Sequence, residues 1–242
     1  MNNHRMITKH CKPADRLRML NGHFKIGSHA EYSDAKGTGL LSDTAEGEGA
    51  TLIPGDVANF SGVVGGFQFK NCSSFGSQYA LKIEERINTS IFCASLGDYC
   101  NNRHMKIMKG DIHAGYPANP DVTAFLTLDV SRLLEALSLA ATEYHRCRSR
   151  WIGSAVYYGP RRRNITPRAF EGMRTSEINR RIYEQAFTKP EKFSCEEEYR
   201  LILYPPLRRT TPKSIFTNSL SDGVQRSFQA AIVDSGADQP RE

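Results

Sequence analysis

The chain has 242 residues, 39% hydrophobic and 24% charged, with 19 Gly, 11 Pro, 6 Cys and a formal net charge of +6. That length supports one sizeable core rather than two, so residues 1–242 read as a single domain with a generous share of loop. No apolar run approaches the roughly 18 residues of a membrane helix, and none follows Met1–Arg5 as a secretory leader would. The expectation is a cytoplasmic protein with no membrane partner and with its scattered cysteines reduced.

In chain order, residues 5–10 read as a short first strand, and Pro13 opens a helix that Asn21-Gly22 ends. His23–Gly27 alternates as a second strand, and Ser28 can cap a short helix through Tyr32. Residues 37–76 hold nine glycines and little periodicity, and they read as a Gly-rich insertion or flap. Strands follow at 79–83 and 90–96, then a loop with Cys100, His104 and His113, then a strand over 122–128. Ser131–Cys147 is the clearest helix, with Leu133, Leu134, Leu137, Ala141 and Tyr144 on one face. A strand over 151–158, an Arg161-Arg162-Arg163 loop, a helix over 175–187 and a strand over 199–204 complete the regular elements. Residues 205–242 read as a loosely structured extension in which 230–233 can add an edge strand.

The charge is concentrated. Between His145 and Arg181 stand ten Arg against Glu171 and Glu177, a local balance of +8, while the rest of the chain is close to neutral. Guanidinium forks match phosphate oxygens, so a nucleic-acid partner held by Arg161, Arg162 and Arg163 is one reading and a solvated basic surface is the other. The dinucleotide fingerprint, the phosphate loop and the zinc-protease helix are all absent from the sequence. Cys93, Cys100, His104 and His113 match no common zinc spacing, so no metal is expected.

The most informative run is Glu196-Glu197-Glu198-Tyr199-Arg200. In an extended chain Glu196 and Glu198 project to one side, a pairing that suits a glycosidic carbon developing positive charge. A solvated strand start is the plainer alternative.

Taken with Lys9-His10 on a first strand, the helix and second strand after it, Tyr32 and Ser95, this order resembles the ADP-ribosyltransferase fold, of whose Ser-Thr-Ser strand only Ser95 matches. Asn21–Ser28, Glu31–Asp34, Asp43–Gly47, Ile91–Ser95 and Lys189-Pro190 through Arg200 further resemble a bacterial family found in defence loci. With the basic balance, the chain is similar to the messenger-RNA-modifying toxins of chaperone-linked anti-phage toxin–antitoxin systems.

The resemblance implies an α+β fold with a split, mostly antiparallel sheet around an NAD cleft and helices outside. It implies catalytic Glu198 and Glu196, with NAD held by His10, Tyr32 and Ser95. It also implies a macromolecular acceptor, RNA before DNA, and an antitoxin partner. Glu198→Gln is expected to abolish nicotinamide release with the fold intact. A non-catalytic nucleic-acid- or partner-binding module and an NAD hydrolase are the alternatives.

Overall fold

The computed structural model describes residues 6–29, 31, 48–54, 60–64, 67–72, 79–86, 89–146, 150–164, 175–204 and 214–237. The first half contains β1 (Met6–Cys11), α1 (Pro13–Leu20), β2 (Lys25–Ser28), β3 (Glu48–Pro54), β4 (Phe60–Val64), β5 (Phe67–Cys72), β6 (Tyr79–Arg86) and β7 (Ser90–Leu96). Then come α2 (Asn101–Lys109), β8 (Ala124–Asp129), α3 (Val130–His145), β9 (Arg150–Ala155), β10 (Tyr157–Tyr158), β11 (Arg162–Asn164) and α4 (Thr175–Ala186). The chain continues through β12 (Thr188–Lys189), a 3-10 helix (Glu191–Glu196), β13 (Glu198–Tyr204), β14 (Ile215–Phe216), α5 (Asp222–Ala231) and β15 (Ile232–Ala237).

The main sheet has eight strands and is antiparallel throughout, with β7 as its hub. One edge of β7 pairs along its length with β13, whose far edge pairs with β9. The other edge is divided. Its C-terminal end takes β1 (Ile7↔Leu96, Thr8↔Ser95) and leads on to β8 and β15. Its N-terminal end takes β2 (Gly27↔Ile91, Ser28↔Ser90) and leads on to β14. The protein is therefore mixed α+β, with a mostly antiparallel sheet and helices at its periphery.

Period-two alternation gives the two sheet faces different chemistry. Ile7, Phe92, Ala94, Leu126, Leu128, Leu201 and Leu203 join the main core. α3 lays Leu133, Ala136, Leu137, Ala140 and Ala141 into that core at helical spacing, and the Asp129 carboxylate caps it by accepting from the Arg132 amide. α5 adds Val224, Phe228 and Ala231, and the Phe228 ring stacks on Phe24 at 4.8 Å between centroids. Gly22 closes α1 against α5 at φ +78°, where a Cβ would stand 2.4 Å from the Gln225 carbonyl oxygen, so only glycine fits.

Several sequence expectations are corrected here. The Gly-rich 37–76 segment contains β3, which pairs with β6 and β11 from outside it, and the β4–β5 pair. Gly49 and Gly62 interrupt the alternation of β3 and β4, while β5 alternates but is short and set among glycines. Its remaining residues lie outside the described ones. The segment with Cys100 and His104 is helical rather than a loop: α2 buries only His104 and Ile107, too thin an apolar stripe to register. Arg162 and Arg163 belong to β11, paired in parallel with β3, and not to a loop. The strand expected over 151–158 breaks at Val156, whose amide donates to the Glu198 carbonyl. Part of the C-terminal extension is core: α5 packs on α3, and β15 completes the sheet edge. Three apolar residues at i, i+4 and i+7 suffice once a core exists to receive them.

Phe228→Ala removes a fully buried ring from that junction and is expected to cost about 3–5 kcal/mol. Urea unfolding followed by far-UV circular dichroism measures it, and a cost below about 1 kcal/mol would show that α5 does not contribute to the core.

Candidate active site

The second sheet face is divided between a small apolar patch, where Ile91 and Ile202 meet Ala186 of α4, and a polar row. Glu198 lies opposite Ser95, Ser95 opposite Thr8, and Thr8 opposite Thr127, so one cross-strand row carries four polar side chains over β13, β7, β1 and β8. All four are buried. Thr8 donates to the Gly97 carbonyl at 2.9 Å. Such a row withdraws hydrogen-bonding groups from water and keeps them only by pairing them.

At its β13 end stands a cluster of charges. Glu198 is 5% exposed. Its Oε1 accepts from Arg200 Nε at 2.6 Å, and its Oε2 from Lys189 Nζ at 2.8 Å and Arg200 Nη2 at 3.5 Å. Arg200 also donates to the Ala186 carbonyl at 2.6 Å. The Lys189 ammonium reaches a second carboxylate, Glu196 Oε2, at 2.6 Å, while the Tyr116 hydroxyl donates to Glu196 Oε1 at 3.1 Å. Lys189 also lies over the Phe193 ring at 4.4 Å, and Tyr116 meets that ring edge-on.

The two carboxyls are driven apart in acidity. Burial pushes Glu198 up, but the Arg200 charge, then that of Lys189, and the hydrogen bonds from both hold it well below its ordinary value. Burial also pushes Glu196 up; Lys189 opposes this, the nearby Glu198 charge reinforces it, and the net direction is upward. Burial and then the Glu196 charge raise Tyr116, so its hydroxyl keeps the proton it donates.

The backbone that achieves this is not the extended one read from sequence. Glu196 ends the 3-10 helix and Glu197 takes φ 44°, a left-handed conformation uncommon outside glycine. Glu198 then enters β13, its amide donating to the Tyr158 hydroxyl at 2.7 Å. Glu197 itself points away and pairs with Arg103. The two outer glutamates thus meet at Lys189 through a kink.

Ser95 and Glu198 are brought together as opposed residues. His10 shares their face but stands two residues along β1 and two strands away, roughly 12 Å from Glu198 by strand geometry. Its Nδ1 shares a 2.7 Å hydrogen bond with Nδ1 of His104, and burial followed by the His104, Arg103 and Lys9 charges lowers its pKa to about 3. It is therefore neutral at pH 7. Tyr32 lies outside the described residues. Arg161 is half-buried and donates from Nε (3.2 Å) and Nη2 (3.1 Å) to the Thr188 carbonyl, which ties it to β12. The side chains of Arg162 and Arg163 lie outside the described residues.

Sequence reasoning missed Lys189, Arg200, Tyr116 and Tyr158 as site residues. Arg200 was findable, since a residue two beyond Glu198 on a strand faces the same way. The other three arrive from separate elements and left no local signal.

No protein-family model, curated protein or solved structure matches the chain.

The expectation that Glu198→Gln leaves the fold intact is withdrawn, because that change takes the carboxylate from buried Arg200 and leaves Lys189 with Glu196 alone. It is expected to cost about 3–5 kcal/mol at pH 7. A lowered carboxyl contributes stability above its ordinary pKa near 4.5 and loses it as pH falls through the folded value, so the gap to wild type narrows in acid. Glu196 has the opposite sign: its contribution is present below that ordinary pKa and is lost as pH rises through the raised folded one. Glu196→Gln is therefore expected to gain on wild type as pH rises from 4 to 8. Urea titrations of the three proteins from about pH 2 to 8 check both slopes, Glu198 in the acid half and Glu196 above it, and parallel curves would disprove the assignment.

Proposed function

We propose that the chain is an NAD-dependent ADP-ribosyltransferase with a nucleic-acid acceptor, RNA before DNA. One observation carries the reading: two carboxyls share a single lysine, one held ionised and the other pushed toward protonation, on the sheet face that also bears Ser95 and His10. Carboxyls whose surroundings drive their pKa values apart suit a division of labour between charge stabilisation and proton transfer. The divided edge of β7 is the kind of split that the resemblance to this fold implies. A toxin role, silenced by an antitoxin, follows from the same resemblance.

The described residues also suit a polar dinucleotide. His10 Nε2 and Arg103 Nε and Nη1 are buried without a hydrogen-bond partner, and a ligand's hydroxyl or phosphate oxygens would satisfy them. Bound NAD would supply the ribosyl–nicotinamide bond, whose breaking leaves positive charge on the ribose. Glu198, ionised and fixed by Arg200, is the residue that offsets such charge. Glu196, with its raised pKa and the Tyr116 hydroxyl to orient it, takes the acceptor's proton. Lys189 holds both carboxyls in place, and Ser95 and His10 bind.

A second reading has its own observation. Both Glu198 oxygens are engaged by Arg200 and Lys189 inside the protein, which suits a clamp joining β12, the 3-10 helix and β13 in a non-catalytic binding module.

Incubation with labelled NAD and with RNA, DNA or cell protein separates the readings. Transfer predicts label on RNA that resists protease and is lost to nuclease. Nicotinamide release with no labelled acceptor means hydrolysis, and no release at all leaves the binding module. For Glu196→Gln, transfer is expected to fall by about 10²–10³, and by more than nicotinamide release does. Equal losses in the two activities would place Glu196 in the NAD site instead.

A further inference from the structure

The ribbon formed by β10 and β12 has a second side. Tyr157 pairs with Thr188 and Tyr158 with Lys189 in parallel register, and consecutive residues face opposite ways. Tyr158 and Lys189 turn to Glu198. Tyr157 and Thr188 instead line a cavity of about 360 Å³ against α4, behind the carboxylates. That volume is at the small end of ligand pockets.

Its walls are aromatic. Tyr183 and Phe187 line it and are backed by Ile91, Ala186 and Ile202, which fixes them from behind. Tyr157 forms the outer wall with 64% of its surface in water, and its ring lies so close over Gly159 that a Cβ there would come within 2.6 Å of it. The Tyr157 amide donates to the Phe187 carbonyl at 2.7 Å, so the walls are tied together through the main chain. At the rim stands Arg180, paired across solvent with Glu184 at 3.4 Å and Glu177 at 3.8 Å. Exposed pairs of this kind hold weakly and yield to a better anion. The charge of the surrounding chain decides the occupant. The segment with ten Arg and a balance of +8 runs through one wall, at Tyr157, and ends on the other, at Arg180–Arg181.

We propose that this cavity is a subsite for an unpaired nucleobase of single-stranded nucleic acid, stacked among Tyr157, Tyr183 and Phe187, with the adjoining phosphate on Arg180. Every base offers a π face to such walls, and a guanidinium takes a phosphate oxygen pair in a fork. A base in a duplex is stacked and paired and cannot enter. The inference rests on the nucleic-acid acceptor proposed above and adds how the strand is held. The subsite is back to back with Glu198, so the base it grips anchors the strand and is not the group modified.

The test is binding of a fluorescent 12-nucleotide single-stranded RNA to the full chain, without NAD, across a salt series. A duplex of the same sequence and an acidic, tyrosine-bearing peptide serve as competitors. Tyr157→Ala, a change at an exposed ring checked by its melting curve, is expected to weaken single-strand binding roughly 5- to 100-fold with the salt slope unchanged. Arg180→Gln is expected to reduce the slope by about one. Wild-type affinity in Tyr157→Ala, or equal competition by duplex, would overturn the subsite and leave the Arg segment as a general phosphate surface. Displacement by the peptide with the same Tyr157 dependence would overturn it in favour of a protein partner. Because no NAD is present, these outcomes are independent of whether the carboxylates catalyse transfer.

Discussion

A carboxylate buried at the start of β13 is tenable only because two cations are brought to it, and much of the surrounding chain is arranged around that need. Taking Glu198 out of water costs several kcal/mol unless its oxygens are matched, and Arg200 and Lys189 match both. Arg200 comes from the same strand and is anchored on the end of α4. Lys189 comes from β12, held by its parallel pairing with β10. The 3-10 helix and the left-handed turn at Glu197 then lower Glu196 onto the same ammonium. One lysine facing two carboxylates cannot neutralise both, and the less well paired one retains its proton more readily.

β7 organises the molecule around this cluster. Its Phe92 and Ala94 enter a core filled by α1, α3 and α5, while Ser95 stands on the polar row with Thr8 and Glu198. The larger core thus lies on the face opposite the carboxylates, while on their own face a smaller apolar cluster of Ile91, Ile202 and Ala186 seats α4 beside them. The divided edge of β7 has a further effect. With β1 on one end and β2 on the other, the two branches can diverge beside the residues that oppose β13.

The ribbon of β10 and β12 repeats this logic on a smaller scale. It is two residues long in each strand, yet alternation lets it present Tyr158 and Lys189 to the carboxylates and Tyr157 and Thr188 to the aromatic cavity. The Arg161 guanidinium, grasping the Thr188 carbonyl, strengthens its outer end. An arginine that reads from sequence as part of a phosphate-binding loop thereby positions the strand that carries Lys189.

How much was legible in the sequence follows from what each signal depends on. The amphipathic α3, the strands β1, β7 and β13 and the placing of Glu198 at a strand start are properties of short stretches, and local periodicity reports them. β3 and β4 were illegible because a glycine breaks the alternation of each, β5 because its alternation is short and set among glycines, and α2 and α5 because each has few apolar residues to reveal its stripe. In the site, the sequence by itself determined that Glu198, Arg200 and Ser95 stand on strands at positions able to face one another. Only the tertiary structure decided that Lys189 lies between the carboxyls, that Tyr116 reaches Glu196, and that His10 is neutral against His104. Acidity depends on burial and on charges a few ångströms away through space, and residues 80 or more positions apart become neighbours only when the sheet has formed.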